Sequence, residues 1–247
     1  ALQILPHFLT RAVRKTGEQK KSVILVATSG DTGKAAMAGF SDVPDTEVIV
    51  FYPHGGVSDA QRLQMTTQRG NNVHAVAVEG NFDDAQTGVK LLFGKAELAA
   101  ELKEQGCAFS SANSINWGRL VPQIVYYFSA YADAVEKGRI QNGTEIVFSV
   151  PTGNFGDILA GYYAKLMGLP VKKFICASNS NNVLTDFINT GTYDRNREFH
   201  RTISPSMDIL VSSNLERLLY EKTEHNSEKI NEWMDALQEK GTYSIGR

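Results

Sequence analysis

Short runs of β-branched and apolar residues alternate along this chain with stretches that carry apolar residues at helical spacing. The runs are brief and rich in Val and Ile, which favours strands over helices. Strands are predicted at 22–28, 47–52, 73–78, 145–150 and 171–177, and helices between them at 35–41, 58–69, 83–104, 119–137 and 157–168. Because alternating strands and helices are typical of a mostly parallel sheet, the pattern predicts an α/β fold.

The pattern changes at the two ends and in the middle of the chain. Residues 2–15 carry apolar positions three and four apart and predict an amphipathic helix. The small, polar stretch 106–118 predicts a crossing between two sheet units, so we place domains at 1–112 and 113–247. Beyond Asn179 the chain is loop-rich, and its remaining predicted elements are a short strand at 207–211 and helices at 214–221 and 227–240.

The composition and the residue spacing exclude several classes of function. With 247 residues, 42% of them hydrophobic, the chain can bury a substantial core. A net charge of −2 does not indicate binding to nucleic acid or to an anionic membrane, since both favour a basic protein surface. No apolar run is long enough to span a bilayer. Two distant cysteines and five histidines without ligand spacing predict neither a disulfide nor a metal site. Cysteines that are not expected to pair favour a reducing cytoplasm, and the N-terminus shows no signal-peptide pattern.

Two predicted strands end in a turn rich in Thr, Ser, Gly and Asp that leads directly into a small-residue helix. They are VILVATSGDTGK (23–34) and IVFSVPTGNFGD (146–157). Such a turn leaves backbone N–H groups pointing at one spot, where the helix dipole also favours negative charge, so each loop predicts an anion site. Neither loop matches a P-loop or a dinucleotide motif, and a single phosphate group fits better than a pyrophosphate. The alternative is a tight turn with a capping side chain.

A third candidate lies at the entry to the helix predicted from 119. It consists of Ser114, Asn116 and Arg119, which are spaced two and three residues apart. A guanidinium with two short polar side chains can bind a carboxylate or a phosphate. The alternative is a helix cap beside a surface arginine. Arg62 is a further candidate, with a solvated helix face as its alternative.

Five segments together are more specific than any one of them. ATSGDTGKAA, VEGNFDDA, SANSINWGRLVPQ, VPTGNFGD and SPSMDILVSSNLERLLY occur in this order, and the chain resembles threonine synthase of the bacterial and fungal type from Ala1 to about Tyr220. The resemblance implies fold type II of the enzymes that depend on pyridoxal 5'-phosphate (PLP), with a small domain and part of the large cofactor domain. It also implies conversion of O-phosphohomoserine and water to threonine and phosphate.

The resemblance assigns the candidate residues. It places the cofactor phosphate on the second loop and the pyridine ring and substrate beside the first. Asp31 departs from the wider fold type, which has asparagine there, and an ionised carboxylate cannot donate to the ring hydroxyl. The implied cofactor-binding residues are Asp31, Gly153, Asn154, Phe155, Gly156 and Asp157, and the implied substrate-binding residues are Thr28, Ser29, Thr32, Arg62, Ser114, Asn116 and Arg119.

The resemblance places the Schiff-base lysine just upstream of Ala1. We therefore expect the sequence to be part of a longer enzyme, a monomer or homodimer, and the 247 residues alone to be inactive. One alternative is another fold-type II enzyme, such as a threonine dehydratase or cysteine synthase relative, which needs no arginine-lined phosphate grip. The other is a non-catalytic domain that binds a phosphate ligand.

Overall fold

The computed structural model describes residues 1–28 and 30–246, and of Asp83 it describes only the backbone. The described chain separates into two compact units, Ala1–Arg119 and a second that starts at Leu120. None of the helices in this part of the chain combines the length and apolar character needed to cross a bilayer.

The first unit is built on one parallel sheet. Its elements are α1 (Leu5–Thr16), β1 (Lys21–Ala27), α2 (Asp31–Phe40), β2 (Thr46–Pro53), α3 (Asp59–Thr66), β3 (Val73–Val78), α4 (Phe82–Gly94), α5 (Ala96–Glu104) and β4 (Cys107–Ser111). The strands lie in the order β3-β2-β1-β4, and each neighbouring pair is parallel. All four carboxyl ends therefore meet at one edge, where ligands of such sheets bind.

Strand β1 is buried on both faces because helices cover the sheet from both sides. Ile24 and Val26 pack into one core with Met37 and Phe40 of α2. Leu25 and Ala27, which point the other way, pack against α4 in a second core. Because both faces of the sheet are covered, the sequence of β1 is a continuous apolar run and does not alternate between apolar and polar residues.

The second unit contains two small sheets. Its elements are α6 (Trp117–Glu136, which begins in the first unit), β5 (Ile146–Pro151), α7 (Gly156–Leu166), β6 (Val171–Ala177), α8 (Val183–Thr190), β7 (Thr192–Asp194), a 3₁₀ turn (Pro205–Met207), α9 (Leu215–Lys222), α10 (Ser227–Lys240) and β8 (Thr242–Ser244). Strands β5 and β6 are parallel, and β7 and β8 are antiparallel. Tyr127 of α6 packs edge-on against Phe148 of β5, with ring centroids 4.8 Å apart.

The five predicted strands between 22 and 177 are confirmed to within a residue, and the α/β fold with a mainly parallel sheet is confirmed. The predicted helix 83–104 is two helices, because the chain leaves helical geometry at Lys95. The predicted strand at 207–211 is wrong. There the Asp208 carboxylate accepts hydrogen bonds from Asn179 and Thr202, and such local side-chain bonding competes with sheet pairing.

The division between the units lies later than the predicted domain boundary at 112/113. Three side chains after this boundary donate to backbone carbonyls of the first unit: Asn113 to Ala27, Asn116 to Ser111 and Arg119 to Ala112. These bonds attach the segment 113–119 to the first sheet. The correspondence of the units to a small domain and a cofactor domain stays a prediction.

Candidate functional site

The carboxyl edge of the first sheet brings two predicted segments side by side. Strand β1 pairs directly with β4, so the loop after Ala27 lies next to the loop after Ser111. The Asn113 side-chain amide joins them by donating to the Ala27 carbonyl at 3.2 Å. The sheet thus places Thr28 near the start of the segment that carries Ser114, Asn116 and Arg119.

Thr28 organises the first loop from within. Its buried hydroxyl oxygen accepts hydrogen bonds from the backbone N–H of Gly30 at 2.9 Å and of Gly33 at 3.0 Å. Gly30 precedes α2 with φ 140°, a conformation that strongly favours glycine. Thr32 lies half-buried in the first turn of α2, and the predicted ligand Ser29 lies outside the described residues.

Thr28→Val is expected to lower the free energy of unfolding by about 1–3 kcal/mol, because two buried N–H groups lose their acceptor while the side-chain shape is kept. Urea denaturation measures this change. Thr28→Ser keeps the hydroxyl and should lose about 1 kcal/mol or less. If the valine variant were as stable as the wild type, this internal role of the hydroxyl would be wrong.

Asp31 opens α2 and is held by a residue that the sequence did not single out. Its carboxylate accepts a hydrogen bond from the side-chain amide of Gln61 at 2.9 Å. Gln61 belongs to the capping box of α3, in which it exchanges hydrogen bonds with Ser58. The Gln61 side chain also covers Gly30 so closely that a Cβ there would collide with it. In this contact Asp31 is an acceptor, and its predicted role at a cofactor ring stays a prediction.

Asn116 precedes α6, Arg119 lies in its first turn, and both side chains bond to the chain just after β4. The Asn116 side chain donates to the Ser111 carbonyl at 2.6 Å and accepts from the Gly118 N–H at 2.8 Å. The half-buried Arg119 donates to the Ala112 carbonyl at 3.1 Å.

Arg62 and Ser114 complete the predicted set in the first unit. Arg62 lies in the first turn of α3, with its side chain 43% exposed and its guanidinium 3.3 Å from the Asp59 carboxylate on the same helix. Ser114 is half-buried in the turn after β4. Within the part of the chain that the structure describes, no group of His, Cys, Asp and Glu side chains is arranged to hold a metal ion.

The second loop presents a row of backbone donors. Phe155 stands before α7 with φ 64°, a left-handed conformation that is unusual for a bulky residue and is held here by its buried ring. Within the described residues, the backbone N–H groups of 153–158 donate to no other group of the chain. Because the helix dipole places partial positive charge at the same end, these donors favour an anion.

The glycines of this loop differ in their surroundings. A Cβ on Gly153 would lie 3.1 Å from both the Ser206 carbonyl oxygen and the Met207 Cα, which are backbone atoms that cannot rotate away. A Cβ on Gly156 would meet only side-chain atoms at ordinary contact distance, 3.6 Å. The absence of a side chain at Gly153 therefore lets the loop lie this close to the backbone of 206–207.

Sequence reasoning missed the residues that hold this loop from outside. The Ser212 hydroxyl donates to the Gly153 carbonyl at 2.7 Å, and Asn214 donates to the Asn154 carbonyl through its backbone N–H at 3.1 Å and its side chain at 3.0 Å. The only signal for them in the sequence was the distinctive segment 204–220, to which no role was assigned.

Comparison with known proteins identifies the family. Residues 3–246 match the family described as "Pyridoxal-phosphate dependent enzyme". The chain is 44% identical over 245 residues to threonine synthase of Pseudomonas aeruginosa, covering 99% of this chain and 50% of that protein. It is 46% identical over 252 residues to "Threonine synthase-like 1" of Homo sapiens, covering 99% of this chain and 34% of that protein.

A solved structure agrees with the sequence matches. The PLP-bound threonine synthase of Brucella melitensis superposes with a TM-score of 0.87 at 41% identity, covering 100% of this chain and 50% of that one. The chain therefore spans half or less of the length of these three relatives. Its architecture is that of fold-type II PLP enzymes, and the chain belongs to the family of pyridoxal-phosphate dependent enzymes.

Proposed function

We propose that the protein containing this chain is a threonine synthase, which converts O-phospho-L-homoserine and water to L-threonine and phosphate. The observation that carries the proposal is the placement of Arg119 in the first turn of α6, where its side chain donates to the Ala112 carbonyl in the segment that follows β4. The same segment bonds through Asn113 to the end of β1, where the first glycine loop begins. A guanidinium is suited to a phosphorylated substrate, and the relatives named threonine synthase align along nearly the whole chain.

The second glycine loop, residues 153–157, is the proposed binding site of the cofactor phosphate. Within the described residues, the backbone N–H groups of 153–158 donate to no other group. These donors at the amino end of α7 fit a phosphate monoester. We assign Gly153, Asn154, Phe155, Gly156 and Asp157 to this role. Bound there, PLP would supply the electron-withdrawing chemistry, while the protein supplies orientation and charge.

The first unit is the proposed side of the substrate. Arg119 would hold the substrate phosphate and stay with it as it leaves the γ carbon. Both ends of the Asn116 side chain bond within the turn, which supports a positioning role for it beside Arg119 and Ser114. Arg62, exposed on α3, is the weaker candidate. We also assign Thr28, Ser29 and Thr32 to the substrate and Asp31 to the cofactor, as the resemblance implies.

The proton-transfer base is proposed to be the lysine expected just upstream of Ala1. We further propose a cytoplasmic monomer or homodimer. We propose that the 247 residues on their own do not turn over substrate.

The function is tested by incubating the intact, PLP-loaded protein with O-phospho-L-homoserine and measuring threonine and inorganic phosphate. The proposal requires equal amounts of both products, and none from the 247 residues alone. Deamination of threonine, or turnover of O-acetylserine, without consumption of O-phospho-L-homoserine would favour another fold-type II enzyme. Binding of the substrate without any product would favour a non-catalytic domain.

A further inference from the structure

The segment 206–214 runs along the second glycine loop and bonds to its carbonyl groups. Gly153 packs against the Ser206–Met207 backbone. Ser212 donates to the Gly153 carbonyl, and Asn214 donates twice to the Asn154 carbonyl. All three of these bonds end on carbonyl oxygens of the loop. In the part of the chain that the structure describes, the N–H groups of the loop donate to no other group.

Because of peptide geometry, these bonds on the carbonyl groups also fix the directions of neighbouring N–H groups. In a trans peptide, the carbonyl of one residue and the N–H of the next lie in one plane and point in opposite directions. A hydrogen bond on the Gly153 carbonyl therefore fixes the direction of the Asn154 N–H. The bonds on the Asn154 carbonyl fix the Phe155 N–H in the same way.

Tyr193 holds the segment in place. Its hydroxyl donates to the Leu210 carbonyl at 3.0 Å and accepts from the Ser212 N–H at 2.9 Å. The ring is 1% exposed and stacks on Tyr243, with centroids 5.4 Å apart. Burial raises the pKa of Tyr193 to about 12, so the hydroxyl keeps its proton at neutral pH and can serve as donor.

We propose that Ser212 and Asn214, held in register by Tyr193, are positioning residues that direct the Asn154 and Phe155 N–H groups at the phosphate of PLP. The proposal rests on the cofactor phosphate lying on the loop 153–157, as proposed above. It predicts that loss of this support weakens recognition of the phosphate group specifically, since the pyridine ring is not expected to contact the segment.

The test compares PLP with pyridoxal, which lacks the phosphate, for binding to the intact apo-protein by equilibrium dialysis. Ser212→Ala and Tyr193→Phe should each lower the affinity for PLP about tenfold, with the affinity for pyridoxal within about twofold of wild type. Ser212→Thr, which keeps the hydroxyl, should restore PLP binding. Tyr243→Phe is the matched control, because the Tyr243 hydroxyl has no hydrogen-bond partner within the described residues.

The outcomes separate the two proposals. If the wild type bound pyridoxal as tightly as PLP, the proposed phosphate site itself would be wrong. If the wild type preferred PLP and Ser212→Ala kept that preference, the positioning role would be wrong. Equal losses for both ligands would indicate a purely structural role and would also overturn it. Should Tyr193→Phe fail to fold, Ser212→Ala decides alone, since it leaves the buried aromatic cluster intact.

Discussion

Arg119→Lys is expected to lower kcat/KM for O-phospho-L-homoserine about 100-fold in the PLP-loaded intact protein. Lysine keeps the charge but loses the planar fork that donates two parallel hydrogen bonds to a phosphate. Charge-assisted hydrogen bonds contribute about 1.5–3 kcal/mol each, and each 1.4 kcal/mol is a factor of about ten. Steady-state kinetics measure the loss, and the inhibition constant of inorganic phosphate should rise with it.

Arg62→Lys is the matched control for this prediction. Arg62 is exposed, and its described ion pair is with Asp59 on its own helix, so we expect a change of less than about tenfold. The affinity for PLP should be unchanged in both variants. If Arg119→Lys left kcat/KM and phosphate inhibition within about twofold of wild type, or if Arg62→Lys had the larger effect, the assignment of the phosphate grip would be wrong.

Gly153→Ala is expected to lower the affinity for PLP by about tenfold or more. The new methyl group would stand 3.1 Å from two backbone atoms of residues 206 and 207, so the loop must shift by a few tenths of an ångström. A shift of the loop misaligns several N–H donors at once, and one lost charge-assisted bond already accounts for about tenfold. The affinity for pyridoxal should change far less.

Gly88→Ala provides the control for this substitution. Gly88 lies within α4, and a Cβ there has open space around it. It should leave PLP binding unchanged and favour the helix slightly. Wild-type affinity of the Gly153→Ala variant for PLP would contradict the role of this close approach.

The strands that form the hydrophobic cores could be predicted from sequence, because their apolar runs are short and punctuated by turn residues. Strand β4 could not, since CAFSS carries little apolar pattern and gains its strand geometry by pairing with β1. The three-residue strands β7 and β8 were missed for a similar reason. They pair across some fifty residues of chain, and nothing local distinguishes them.

The same limit applies to the candidate site. The second glycine loop was predictable because its donors are backbone groups, whose positions follow from a strand, a turn and a helix in succession. Its supports were not, because Ser212 contacts Gly153 across 59 positions of sequence. The link from Asp31 to Gln61 spans 30 positions and was equally invisible. Local pattern indicates where an anion can bind, and tertiary contacts decide which side chains orient the groups that bind it.

The central claim, that residues 153–157 hold the phosphate of PLP, is tested most directly by a crystal structure of the intact protein with PLP bound. We expect phosphate oxygens within about 3 Å of the backbone nitrogens of this loop, at the amino end of α7. A phosphate bound instead at the loop 28–33, or away from both loops, would contradict the account.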